Sequence, residues 1–310
     1  MDGYIKELTD VIENGSMDNT YKMSWIRSIV ESCEKNTKSK IHFDELSELI
    51  FKYYWNQSIF FKLQQGPNSN KKPKIFQLVE QSIDEYQSKY GMKPETFIKV
   101  QEQINIPTKQ ISTVLTKDVC ERFLNLDKNV LNIYKYNLEE RTIDVLKPSL
   151  IKEYSNILYS LINYRWTQKL EDIDGSPRIS KKIKGVDREK TPVRKSLKQF
   201  HRFIDLENPY KRCFISGKKI PEGKLSVDHV IPWSYMFSDD LWNLVYVNSS
   251  ENSSKNNRLP NKDMVQKLIV RNKKLLKLMR GNNINSKHEI ELDISLKRNY
   301  VDLYWTGFKG

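Results

Sequence analysis

Four residues in the last third of the chain have the types and spacing of a hydrolytic centre. Asp228 and His229 are adjacent in the stretch LSVDHVIPWS, and Asn243 and Asn252 follow downstream. An imidazole, with an ordinary pKa of about 6.5, can take a proton from water near neutral pH. A carboxylate and an amide oxygen, completed by waters and a phosphate oxygen, suit a hard divalent ion such as Mg²⁺. The pattern favours hydrolysis by a water that His229 deprotonates beside an ion held by Asp228 and Asn252.

Two short strands are predicted around the histidine. Residues 226–230 form a strand-like run that Pro232 ends, so His229 lies near a strand end, where side chains often face a cleft. The run LWNLVYV at 241–247 predicts a second strand. A lone histidine among apolar residues is usually a core residue, so the functional interpretation depends on these surroundings.

A helix is predicted after the second strand. The polar run 249–258 has a start rich in capping residues and room for two helical turns. Asn252, Lys255 and Asn256 then share one face, because residues three and four apart are neighbours on a helix. A hairpin crossed by this helix can bring Asn252 close to Asp228. Asn256 is a further candidate metal ligand, although a capping or solvent role suits it as well.

Positive charge is concentrated on both sides of this unit. The chain has a net charge of +13, and residues 168–224 and 255–280 each contribute +8, so the remainder is slightly acidic. Such a distribution is typical of a surface that binds a polyanion. A lysine-rich solvated surface with no partner is the alternative.

Basic side chains on two predicted helices are candidates for phosphate contacts. Lys255 and Arg258 lie on the helix that carries Asn252. The stretch 260–280 predicts an amphipathic helix with an apolar inner face, and its basic residues are expected on the outer face. The candidates on this second helix are Lys267, Arg271 and Lys274.

The segments VDHVIPWS and WNLVYVNSSENSSKNNRLP together resemble the HNH endonuclease motif, also called the ββα-metal fold. The resemblance covers about 213–260. It implies that His229 is the general base, that Asp228 and Asn252 are the metal ligands, and that Asn243 holds the loop and orients the histidine. The implied reaction is hydrolysis of a DNA phosphodiester bond, with Mg²⁺ or Mn²⁺ as the cofactor, giving a 5′-phosphate and a 3′-hydroxyl.

The chain departs from many family members at the positions of the zinc knuckle. Two CxxC pairs flank the motif in those members, and the matching positions here are Cys213, Ser216, Asn248 and Glu251. A tetrahedral structural zinc needs four Cys or His ligands. We therefore expect no structural zinc and a scaffold held by packing instead. The other two cysteines are far away in sequence, so neither a disulfide framework nor a CxxC site can be built.

The predicted fold class is α+β, with a mostly helical N-terminal domain followed by a C-terminal HNH domain. Helical periodicity dominates residues 1–170, and a β-hairpin is predicted near 129–146. The basic, Gly- and Pro-containing stretch 171–195 is the predicted linker. Residues 196–310 form the nuclease domain with its basic C-terminal helix. The role expected for the first domain is sequence recognition, dimerisation or coupling to a partner.

Three functional interpretations remain open. The first is a restriction or anti-phage endonuclease of bacterial defence type, the second a homing or mobile-element endonuclease, and the third a non-catalytic nucleic-acid-binding protein with a relic HNH fold. The intact set of Asp228, His229, Asn243 and Asn252 argues against the third. The expected partners are double-stranded DNA and either a second copy of the chain or a defence-system protein. No apolar run reaches the roughly 20 residues that span a bilayer, so no membrane partner and a cytoplasmic location are expected.

Overall fold

The computed structural model describes residues 2–61, 63–68, 71–91, 94–174, 176–187, 195–251 and 260–309, with the backbone alone for 184–187 and 309. The chain folds as two compact units. The first comprises residues 1–174 and 179–192, and the second comprises 175–178 and 193–310.

Helices make up most of both units. In the first unit they are α1 Gly3–Asn14, α2 Tyr21–Asn36, α3 Phe43–Phe61, α4 Lys74–Tyr90, α5 Phe97–Val100, α6 Thr108–Asp118, α7 Cys120–Phe123, α8 Pro148–Glu153, α9 Ser155–Ile173 and α10 Ile179–Asp187. In the second unit they are α11 His201–Glu207, α12 Trp233–Met236, α13 Lys262–Gly281, α14 Lys287–Lys297 and α15 Tyr300–Lys309.

The strands are short and antiparallel. They are β1 Lys40–His42, β2 Asn125–Leu126, β3 Asn129–Val130, β4 Tyr134–Asn137, β5 Thr142–Val145, β6 Leu225–His229 and β7 Leu244–Asn248. The sheets have the orders β1-β5-β4, β2-β3 and β6-β7. The β4–β5 hairpin, with Tyr134 opposite Val145, lies inside the range where the sequence pattern predicts one. The α+β fold class is confirmed.

The core of the first unit is built on aromatic side chains of α2 and α3. The fully buried Trp25 ring meets Phe43 edge to face at 5.4 Å, and its indole Nε1 donates to the Tyr134 hydroxyl at 2.9 Å. A buried indole N–H without a partner would be costly, so this bond ties α2 to the β4–β5 hairpin. In α3, Tyr53, Tyr54, Trp55 and Phe61 are buried, which assigns that aromatic run to the core rather than to a base-stacking surface.

The predicted linker at 171–195 is partly helical. Ile179 and Ile183 are four residues apart and both are buried, so α10 has one apolar face packed within the first unit. The high charge of the stretch predicts a flexible connection, but residues 179–187 form a nine-residue helix that contacts α3 and α9.

The core of the second unit surrounds the β6–β7 hairpin. Strand β7 has four consecutive buried residues, and the helices α11, α13, α14 and α15 all contribute to the same core. Trp242 is buried and stacks on Tyr304 of α15, with ring centroids 6.0 Å apart. The aromatic helix α15 therefore packs against Trp242, next to the β6–β7 hairpin in sequence, within the second unit.

Across the part of the chain that the structure describes, the helices are too short or too polar to cross a membrane.

A buried ion cluster in the first unit leads to a prediction about pH. Burial raises the pKa of the Glu31 carboxyl, but the charge of Lys52 and hydrogen bonds from Lys35, Lys52 and Tyr53 outweigh it and lower that pKa to about 2. The Lys52 Nζ and Tyr53 hydroxyl both lie 2.6 Å from Glu31 oxygens. Because the pKa is depressed, the cluster stabilises the fold above about pH 4.5, and the contribution is lost as the pH falls towards 2.

We expect Glu31→Gln to lower the free energy of unfolding by about 3 kcal/mol at pH 7, because it removes the charge of a buried carboxylate that pairs with the buried Lys52. Urea unfolding of both proteins from pH 7 to pH 3 should show the difference shrinking with acid. The control is Glu140→Gln, at an exposed ion pair with Lys40, which should change stability by less than about 1 kcal/mol. A difference for Glu31→Gln that does not vary with pH would contradict the role of the ion pairs.

Candidate nuclease site

Asp228 and His229 occupy the last two positions of β6, where they face opposite sides of the hairpin. In the antiparallel register, Asp228 lies opposite Val245 and His229 opposite Leu244. Successive side chains on a strand alternate between its two faces. His229 is accordingly only 3% exposed, whereas Asp228 is partly exposed.

Asn243 holds the chain immediately after the histidine. Its side-chain oxygen accepts from the Ile231 backbone N–H at 2.8 Å, and its side-chain nitrogen donates to the Ile231 carbonyl at the same distance. Its own carbonyl accepts from the Val230 N–H at 2.9 Å. Asn243 is fully buried, and its side-chain amide pairs with the backbone N–H and C=O of Ile231 as a neighbouring strand would. The loop after β6 is therefore bonded to Asn243, and a role for Asn243 in orienting the histidine stays a prediction.

His229 has a carboxylate partner. Its Nε2 lies 3.0 Å from an Asp239 side-chain oxygen, and Asp239 is mostly shielded from solvent. Asp239 belongs to the loop between α12 and the 3-10 turn Leu241–Asn243. The sequence analysis did not single out Asp239, since acidic residues are ordinary in loops and only the fold places this one beside the imidazole.

Four of the predicted site residues lie outside the described residues. These are the candidate metal ligands Asn252 and Asn256 and the candidate phosphate-binding residues Lys255 and Arg258. The helical backbone that precedes them begins at residues 249–251, directly after β7.

Arg271 is placed differently from the expectation. It was predicted on the outer, nucleic-acid-binding face of its helix, but its guanidinium is buried. It donates to the carbonyls of Leu241 and Leu244 and forms an ion pair with Glu207 at 3.1 Å. Burial lowers the pKa of the guanidinium, and Glu207 opposes that shift. Arg271 thus positions the segment that contains Asn243 instead of contacting phosphate.

Lys267 and Lys274 lie on the exposed part of α13. The Lys267 Nζ caps the Phe214 carbonyl and lies 4.7 Å from the centre of the Phe214 ring, while the Lys274 Nζ donates to the Glu207 carbonyl at 2.7 Å. Neither contact neutralises the ammonium charge, because both acceptors are backbone carbonyls. Both lysines therefore keep their positive charge at the surface.

The positions that match the zinc knuckle of many family members form a hydrogen-bonded cluster, which we call the Glu251 clip: Cys213, Ser216, Asn248 and Glu251. The Cys213 thiol and the Ser216 hydroxyl each donate to one oxygen of the Glu251 carboxylate at 2.9 Å. The Asn248 backbone N–H lies 3.4 Å from the Cys213 sulfur. The two donated bonds lower the pKa of the Glu251 carboxyl.

The Glu251 clip adds side-chain hydrogen bonds to the packing expected at these positions, and the absence of structural zinc stays a prediction. It ties the turn that follows α11 to the first residues of the helix after β7. Sequence offered a partial signal, because Ser216 and Glu251 stand at knuckle positions and are a matched donor and acceptor.

The donor chemistry around Asp228 fits a hard divalent ion. The side chain is a partly exposed carboxylate at a strand end, and carboxylate oxygens are the ligands that Mg²⁺ and Mn²⁺ accept. Within the described ranges, no three His, Cys, Asp or Glu side chains come together as a metal site. An ion held by one protein carboxylate, an amide and waters needs no such trio.

Residues 209–261 match the model of the HNH endonuclease family, and this segment belongs to that family. The match contains the β6–β7 hairpin, His229, Asp239, Asn243 and the Glu251 clip, and the preceding two thirds of the chain lie outside it. No curated protein and no solved structure matches the chain. The family assignment indicates a nuclease with a nucleic-acid substrate, and HNH nucleases generally use a divalent metal.

The contrast between Arg271 and Lys274 gives a stability prediction. We expect Arg271→Gln to lower the free energy of unfolding of the second unit by about 3 kcal/mol, because it leaves Glu207 and two buried carbonyls without their partner. Lys274→Gln, three residues along the same helix, should change it by no more than about 0.5 kcal/mol. Urea unfolding followed by tryptophan fluorescence measures both. Equal effects of the two substitutions would contradict the positioning role of Arg271.

The Glu251 clip gives a second prediction. We expect Glu251→Ala to lower the melting temperature, and Ser216→Ala to lower it less because Cys213 still donates to Glu251. Elemental analysis of the purified wild type should find no stoichiometric zinc, since one thiol and one carboxylate do not make a tetrahedral knuckle. The control is Glu222→Ala, at an exposed position in the same unit. Stoichiometric zinc, or an unchanged melting temperature for Glu251→Ala, would refute the Glu251 clip as the replacement for the knuckle.

Proposed function

We propose that the protein is a metal-dependent DNA endonuclease that hydrolyses phosphodiester bonds with His229 as general base. The observation that supports this most is the immobilised His229 ring. It is buried within the segment that matches the HNH family, with the Asp239 carboxylate at Nε2 and Asn243 bonded to the chain two residues beyond it. The neighbouring Asp228 is partly exposed, so the same strand end also offers a carboxylate that could bind an ion.

In the proposed reaction, His229 accepts a proton from a water molecule. The resulting hydroxide attacks phosphorus in line with the leaving 3′ oxygen, the P–O3′ bond breaks, and the leaving oxygen takes a proton from solvent. The products are a 5′-phosphate and a 3′-hydroxyl. Asn243 contributes by holding the loop after β6, so that the ring keeps its position through proton transfer.

Asp228 and Asn252 would hold the divalent ion, with Asn256 as a further candidate ligand. Mg²⁺ or Mn²⁺ bound there would supply charge stabilisation at the phosphate and at the leaving oxygen. Asp228 and His229 face opposite sides of β6, and the carboxylate at the His229 ring is that of Asp239, so the Asp228 carboxylate is not the group that binds the ring.

The proposed substrate is double-stranded DNA. Lys267 and Lys274 keep exposed ammonium groups on α13, and Lys255 and Arg258 add positive charge to the chain between β7 and that helix. Cations at such positions bind phosphate without reading sequence and make affinity fall with salt.

We further propose a role in restriction or anti-phage defence in the cytoplasm. A helical unit with its own core, joined to a single HNH segment, suits a protein in which one part recognises a site or a partner and the other cuts. One nuclease site per chain cuts both strands only by acting twice or as a dimer, so a homodimer or a defence partner is part of this proposal.

The test is incubation with supercoiled plasmid, linear single-stranded DNA and RNA in the presence of Mg²⁺ or Mn²⁺. We expect nicking or linearisation of the plasmid, loss of cleavage in EDTA, and a loss of at least about 10²-fold in kcat for His229→Ala and for Asp228→Ala. Gel analysis of the products, with end labelling, identifies the 5′-phosphate.

The matched control is His42→Ala. His42 is half-exposed and belongs to the first unit, so its removal should leave cleavage unchanged. Circular dichroism must show that His229→Ala is folded. If folded His229→Ala cuts the plasmid at the wild-type rate, His229 is not the base. Cleavage of RNA alone would reject DNA as the substrate.

A further inference from the structure

Asp239 is held in place by the residues on both sides of it. Before it, Phe237 ends α12 in the left-handed backbone region with φ of 49°, which turns the chain sharply. After it, the buried Asp240 side chain accepts from the Ser238 hydroxyl at 2.5 Å and from the Arg178 guanidinium at 3.2 Å. The Asp240 carbonyl also accepts from the Asn243 N–H at 2.9 Å.

This loop is anchored at a second point as well. The Arg178 guanidinium donates to the Met236 carbonyl at 3.3 Å, so one side chain bridges the residues on either side of Phe237, Ser238 and Asp239. A loop fixed at both ends leaves Asp239 little freedom to leave the imidazole. The 3.0 Å contact between Asp239 and the His229 Nε2 is therefore held in place by the fold, unlike an incidental ion pair between mobile surface side chains.

The contact decides which imidazole nitrogen carries the proton. An ionised carboxylate can only accept hydrogen bonds, and a neutral imidazole has one N–H and one bare nitrogen. For a neutral His229 ring, a carboxylate at Nε2 favours the tautomer with the proton on Nε2 and the lone pair on Nδ1. A histidine that is to take a proton from water needs that lone pair.

We propose that Asp239 is the positioning residue of the nuclease site, which holds the His229 ring and fixes it in the Nε2–H tautomer so that Nδ1 is the basic atom. This inference rests on the proposed function for its catalytic meaning. Asn243 fixes the backbone beyond the ring and Asp239 fixes the ring itself, so the two residues restrain different degrees of freedom. Asp239 acts only through His229 and touches no reacting atom in this role.

The first test needs no substrate. Long-range ¹H–¹⁵N correlation spectra distinguish the two imidazole tautomers, and the chain has only four histidines. The signal that disappears in His229→Ala assigns His229. In the wild type under mildly alkaline conditions we expect the Nε2–H pattern, and in Asp239→Asn we expect a share of the Nδ1–H pattern, because a carboxamide can also donate to Nε2. A wild-type His229 in the Nδ1–H form would overturn the proposal.

The second test is kinetic. Asp239→Asn and Asp239→Ala should each lower kcat for plasmid cleavage by at least about 10-fold with little change in KM, as expected when the group that orients an active side chain is removed. The control is Asp144→Asn, an exposed aspartate of β5 in the first unit, which should cleave like the wild type. Folded Asp239 variants with the wild-type kcat would overturn the proposal.

The two tests separate this inference from the proposed function. If the wild type cleaves none of the nucleic acids, the proposed function fails on that result. The His229 tautomer in the wild type still upholds or overturns the arrangement at Asp239, since it is measured without substrate, metal or any variant of the loop.

Discussion

The pairing of buried backbone groups in the segment Leu241–Leu244 is the constraint on which the nuclease unit depends. This segment is shielded from water, so each of its carbonyls must find a donor within the protein. Arg271 supplies donors for Leu241 and Leu244, and the Asn272 side chain donates to the Trp242 carbonyl at 2.9 Å. Asn243 then reaches across to the loop after β6. Arg271 and Asn272 of α13 thereby fix the segment Leu241–Leu244, and Asn243 of that segment is bonded to the loop after His229.

The same arrangement explains how a buried imidazole can keep a defined orientation on a hairpin of only two strands. A two-stranded hairpin is marginally stable in isolation. Here helices α11, α13 and α14 pack around it, and the amide of Asn243 supplements the ladder where β6 ends. Alternation along β6 then separates the two proposed site residues, since Asp228 and His229 face opposite sides. One strand end thus offers a carboxylate on one face and an imidazole on the other.

Much of the structure around His229 can be predicted from the sequence, but the partners of individual side chains cannot. The two strands around His229 are predictable from their short apolar runs and from Pro232, and the spacing to Asn243 supports the resemblance to the motif. The prediction that Arg271 is exposed is wrong because it follows the charge of the residue and not its position in the helix. Arg271 lies three residues after Leu268 and four before Leu275, on the apolar stripe of α13. The partnership of Asp239 with His229 could not be predicted, because it depends on a left-handed turn at Phe237 and an anchor at Arg178, which is distant in sequence. The helical unit lacks a motif, so its fold class was predictable and its role was not.

The Glu251 clip has a consequence for the supply of metal in a cell. A knuckle closed by four thiolates completes its fold only after it captures zinc, so its assembly competes with every other zinc-binding protein. A turn closed by a thiol, a hydroxyl and a carboxylate is complete as soon as the chain has folded. If the predicted absence of structural zinc is correct, zinc starvation imposed by a host or a competitor would leave this scaffold folded, and only the proposed catalytic ion would link the protein to the metal supply.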